Sequence, residues 1–209
     1  MREVRFRAKL TTSMVHSGAL ARRFLALLSF GAAACGGSVG APPAPVPCEE
    51  KCQDQVALRA VREMTKLAYN LLLQGKPVGE QDMRSPCPLG GSVHVFGNAT
   101  SNAAQGATEV DLTYEFATCG HIELDEEPEE SYRMTLDGTL TQVGTLAAQP
   151  TATTALIMQS DAMSLAGTVH DPPLAYGALD CVLELGQDGN DLSGLFCGKE
   201  VGVDLGGQN

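Results

Sequence analysis

Val110, Leu112, Tyr114 and Phe116 alternate with Glu109, Asp111, Thr113 and Glu115. Successive strand side chains point to opposite faces, so this period of two demands a strand with one face buried and one in water. Tyr132, Met134, Leu136 and Leu140 alternate with Arg133, Thr135, Asp137 and Thr139 in the same way. One-sided strands need a layer over their apolar face. SVHVFG at 92–97 reads as another strand, and more are expected near 153–159, 162–170, 180–186 and 192–198. The turn formers in QPTAT, HDPP and QDGND separate them.

Residues 48–74, CEEKCQDQVALRAVREMTKLAYNLLLQ, supply the cover. Ala57, Val61, Met64, Ala68 and Leu71 recur at helical spacing. Glu49 and Glu50 sit at the start, where the helix dipole favours acids, and Gly75 and Pro77 end the run. The fold class that follows is α+β: one N-terminal amphipathic helix on a twisted antiparallel meander of about six or seven strands. The alternative is a β-sandwich with the helix appended.

The preceding segment has a different chemistry. Arg22 and Arg23 stand before an uncharged run, FLALLSFGAAA, from Phe24 to Ala34. A basic flank, a short apolar run and a small-residue end make an export signal over residues 1–34. The run is too short to span a bilayer, which needs roughly 20 residues. Met14 offers a second start, leaving a signal of 14–34. The pair Arg22-Arg23 fits a twin-arginine signal poorly, because Phe24 follows directly.

Ala32-Ala33-Ala34-Cys35 resembles the lipobox of bacterial lipoproteins. The resemblance implies a diacylglycerol on the Cys35 thiol and cleavage before it. It departs from the pattern at Ala32, where leucine is usual; ordinary secretory cleavage after Ala34 is the alternative. Gly36, which is not aspartate, implies the outer membrane. Residues 35–47 are then the anchor cysteine and a Gly/Pro-rich tether that reaches roughly 40 Å when stretched. Gly36-Gly37-Ser38-Val39-Gly40 matches G-x-S-x-G, but neither the strand before nor the helix after that a nucleophile elbow requires is there.

Seven cysteines, at 35, 48, 52, 87, 119, 181 and 197, leave six once Cys35 carries lipid. An oxidising compartment would join them as three disulfides. A hairpin of 92–97 with 108–116 sets Cys87 beside Cys119. A turn at Asp188-Gly189-Asn190 sets Cys181 beside Cys197. Cys48 and Cys52 remain as the third pair. Helical i, i+4 vectors aim poorly at each other, so an irregular first turn, or separate contacts with the sheet, are both open. A zinc site is disfavoured because C-x₃-C has no matching pair at zinc-finger spacing. The domain is expected to span 48–209. CPLGGSVHVFG, ATEVDLTYEFATC and LSGLFCG resemble a family of uncharacterised exported lipoproteins of myxobacteria. That resemblance implies the fold and carries no catalytic residues.

Six of the 14 Lys/Arg residues and one of the 25 Asp/Glu residues lie before Cys35, so the mature part carries 8 basic and 24 acidic residues. Such a surface repels nucleic acid and does not dock on anionic lipid by charge. Three histidines remain there: His94 in a strand, His121, and His170 in a loop. None stands in a recognisable nucleophile–base pattern. The acidic run ELDEEPEE, Glu123–Glu130, lacks the spacing of a calcium loop and reads as a solvated connection. The expectation is a lipid-anchored envelope protein with no cofactor and no metal, a non-catalytic binding or structural module whose partners are the membrane and an envelope protein. An exported hydrolase would need a histidine to meet a hydroxyl or carboxylate in a cleft. A carrier of an apolar ligand would need a cavity between helix and sheet.

Overall fold

The computed structural model describes residues 47–102, 106–148 and 152–206. The expected signal, Cys35 and most of the tether lie outside them. Helix α1 (Glu50–Leu72) is followed by β1 (Gly79–Pro86), β2 (Ser92–Asn102), β3 (Ala107–Glu123), β4 (Tyr132–Ala147), β5 (Ala155–Val169), β6 (Leu174–Asp188), β7 (Asp191–Phe196) and β8 (Lys199–Asp204). A 3-10 turn, Pro128–Glu130, lies in the acidic run between β3 and β4. Each strand pairs antiparallel with its successor, giving one eight-stranded sheet in chain order.

The architecture is therefore a helix packed on an antiparallel meander, and the sandwich alternative falls. The inward face of this one sheet already finds its cover. Val56, Leu58, Val61 and Met64 of α1 share a core with Leu112, Tyr114, Leu136, Met158, Leu165, Leu183 and Phe196. β3 buries Val110, Leu112, Tyr114, Phe116 and Cys119 along its length. A helix with side chains is about 10–12 Å across and strands lie about 4.8 Å apart. One helix covers eight such strands only if the sheet curls around it, and α1 does touch both edge strands, β1 and β8. Register shifts at Phe116/Cys119, Gly138/Thr141 and Ser160/Met163 fall side by side across β3, β4 and β5, as bulges that bend a sheet. Gly144 (φ +133°) lets β4 approach β5 closely: a Cβ there would lie 2.2 Å from the Ala155 carbonyl oxygen.

Some expectations shift in detail. The segments near 153–159 and 162–170 are one strand, β5. Asp161 and Ala162 are both exposed, so the break in alternation is a bulge and not a turn. β1 escaped the alternation test because Gln81 is its one fully buried side chain. β8 is short and interrupted by Gly202. In α1 the buried stripe ends on Leu72, while Leu71 is 53% exposed, one position away from the expected face.

Three disulfides staple the unit: Cys87–Cys119, Cys181–Cys197 and Cys48–Cys52. Cys48 precedes the first helical residue, and Glu49 is extended (ψ 177°), so the helical i, i+4 geometry does not bind Cys48 and the bond closes. The start of α1 is tied to the last strands. Lys199 donates to Glu50 Oε1 at 2.6 Å and to Asp54 Oδ2 at 2.8 Å, and the Tyr176 hydroxyl donates to Asp54 Oδ1 at 3.0 Å. The bonds to Asp54 and Glu50 raise the pKa of the Lys199 ammonium above its usual value. One helix turn later Gln55 donates to the Gly202 carbonyl and Arg59 to that of Asp204. Residues 45–209 form a compact unit by contact, with its own core and with all six of its cysteines paired internally. These are the properties of a domain that folds without the segment before it.

Candidate functional site

The three histidines occupy three separate places. His94 stands on the outer face of β2, between β1 and β3. Its Nε2 is 2.7 Å from Asp82 Oδ1 and its Nδ1 is 2.9 Å from Glu115 Oε2. Cross-strand register explains this, since Glu115 is its direct partner on β3 and Arg84 its partner on β1. The hydrogen bond to Glu115, then that to Asp82, raises the His94 pKa against the opposing charge of Arg84. When protonated, this imidazole donates to both carboxylates and has no nitrogen left to act as base. His121 Nδ1 lies 3.2 Å from the Tyr132 hydroxyl, whose pKa burial raises far above the usual phenol value.

His170 follows β5 in the left-handed region (φ 70°) and packs beside the Cys48–Cys52 bond. Its Nδ1 is buried with no hydrogen-bond partner. One ring nitrogen and the two sulfurs lie within 4.8 Å of one another, the one such group of metal-ligand residues among those described. No local pattern hints at it, because His170 is far along the chain from C-x₃-C. Joined in a disulfide, these sulfurs are not the thiolates that metals take.

The acidic run is a connection with local structure. The Asp125 amide donates to Ser131 Oγ, the Glu127 amide donates to Asp125 Oδ1, and Arg59 pairs with Glu130 at 2.8 Å.

One hollow lies between the C-terminal half of α1 and the sheet. A cavity of about 460 Å³ opens there, within the roughly 300–1,000 Å³ usual for small-molecule pockets. Its apolar lining comes from Tyr69 and Leu73 on α1, Ala99 on β2, Leu146 on β4 and Met158 on β5. Ala99, Leu73 and Met158 are otherwise buried, so the cavity reaches the core. Gln142 at its wall accepts a 2.7 Å bond from the buried Tyr114 hydroxyl. Burial raises the Tyr69 pKa, opposed by a hydrogen bond to Thr108. The helix crosses the curled sheet from β8 at its start to the β1 connection at its end, and this leaves the space open beside its last turns. A gap between helix and sheet is the condition that the apolar-carrier alternative required; no lining residue was legible in the sequence.

No protein family, no curated protein and no solved structure matches this chain. Among the described residues, no helix is long and apolar enough to cross a membrane.

Proposed function

We propose that this chain is an exported protein, anchored to a bacterial envelope by an acylated Cys35, whose domain binds a small ligand in the cavity between α1 and the sheet without transforming it. The cavity carries the binding half of this reading: it is the one condition that the carrier hypothesis set, and a filled interface would have excluded it. The dispersal of His94, His121 and His170 favours binding over catalysis. Cysteine arithmetic supports the anchor, since six of the seven cysteines are paired and the seventh is Cys35. The lipobox-like run, the tether and Gly36 favour attachment at the outer membrane.

Two measurements on the protein extracted from its own envelope test this. Its denatured mass should begin at Cys35 with acyl chains added and show no alkylatable thiol. Its organic extract should contain a small molecule that is depleted from an Ala99→Leu variant, in which the buried part of the cavity is narrowed. An unacylated mass with one free thiol would overturn the anchor. Identical extracts from both proteins would overturn the binding site.

A further inference from the structure

We infer that the ligand of this cavity is an anionic amphiphile, an apolar chain ending in a carboxylate or phosphate. The inference rests on the binding reading above and adds the charge of the ligand. After Cys35 the chain has 24 acidic and 8 basic residues, so a random stretch of its surface presents three acids for each base. The cavity wall inverts that ratio. Arg62, Lys66 and Lys76 line it, and no aspartate or glutamate does among the described residues.

The nearest counter-charge is Glu63. It lies 3.3 Å from Arg62 Nη1 and 3.2 Å from Lys66 Nζ. One carboxylate shared by two cations leaves one positive charge in excess, and Lys76 adds another. Arg62 is held inward, with Nε 3.4 Å from Gln187 Oε1, and burial lowers its pKa against the opposing effect of Glu63. A desolvated guanidinium is a strong partner for a carboxylate or phosphate oxygen. The apolar lining below, from Leu73, Leu146 and Met158, takes the chain of the same molecule. An apolar floor beneath a cationic rim selects for both ends at once, and the acidic remainder of the surface repels the same anion elsewhere.

The test is calorimetric titration of residues 45–209, oxidised and folded, with four probes of equal chain length below their micelle concentrations: octanoate, octyl phosphate, octanol and octyltrimethylammonium. The two anions should bind at least about fivefold tighter than the alcohol, and the ammonium should bind weakest. Lys66→Gln and Lys76→Gln should each weaken the anions by about two- to fivefold and leave octanol unchanged. Ala99→Leu should weaken all four probes, and its thermal unfolding should remain cooperative. Equal binding of all four probes, or preference for the ammonium, would overturn the anionic class while leaving the cavity as a ligand site. Binding by none of them, or binding indifferent to Ala99→Leu, would overturn both.

Discussion

Replacing each disulfide by a pair of alanines should destabilise the domain in the order of the loop each bond closes. The separations are 32 residues for Cys87–Cys119, 16 for Cys181–Cys197 and 4 for Cys48–Cys52. The chain-entropy relation gives about 3.7, about 3.1 and about 1.9 kcal/mol respectively. Burial does not reverse this order, because Cys87 and Cys119 are both buried while Cys52 and Cys197 are only partly so. At roughly 2–4 °C per kcal/mol for a domain of this size, the Cys87→Ala/Cys119→Ala variant should melt about 7–15 °C lower. Loss of Cys48–Cys52 should cost about half as much. Urea titrations of residues 45–209 followed by circular dichroism would supply the free energies at one temperature. If removal of the four-residue bond cost as much as removal of the 32-residue bond, loop closure would not be how these bonds act. The Cys48–Cys52 bond would then owe its weight to the native contacts at the start of α1.

Leu58→Ala, at a fully buried position facing the sheet, should cost about 2.7–5 kcal/mol in the same assay; a loss under about 1 kcal/mol would mean that the core collapses onto the site. Gly144→Ala should cost about 1–3 kcal/mol, because its Cβ would lie 2.2 Å from the Ala155 carbonyl oxygen; a neutral result would mean that β4 and β5 are not that close. In a proton NMR titration His94 should titrate above the usual histidine value of about 6.5, and Glu115→Gln should lower its midpoint. The sign of the linked stability follows. A raised folded pKa contributes stability that is fully present below about pH 6.5 and is lost as pH rises through the folded value. A wild-type melting profile whose pH dependence across that window equals that of His94→Gln would contradict it.

The strands that the sequence revealed are those with a run of apolar inward residues. β3 alternates cleanly from Val110 to Phe116 and β4 from Tyr132 to Leu136, because those inward positions meet the core; the bulges and the inward Gln142 of β4 interrupt the pattern further on. β1 hid because an edge strand has one neighbour and little to bury, and Gln81 stands where an apolar residue would have given the signal. β5 looked like two strands because a bulge and a turn break the period in the same way; only the register with β4 and β6 separates them. The Cys87–Cys119 and Cys181–Cys197 pairs followed from hairpin order, which a meander preserves, and Cys48–Cys52 was the pair that remained. The grouping of His170 with Cys48 and Cys52, and of Arg62, Lys66 and Lys76 around an apolar hollow, depends on how the helix lies across the sheet. No local pattern encodes that placement.

The path of α1 also sets a timetable. Ribosomes deliver a chain from its N-terminus, so the helix is made before the sheet. Each hairpin of the meander can close as soon as its second strand arrives. Several polar partners of its beginning come late: Glu50 and Asp54 wait for Lys199 and Gln55 for Gly202, whereas Arg59 meets Glu130 earlier in the chain. The helix start is thus tied to a strand some 145 residues further along the chain, and without β8 Asp54 lacks the Lys199 cation. The two ends of the described unit are therefore held by one ion-paired cluster, so a change at either end is felt at the other.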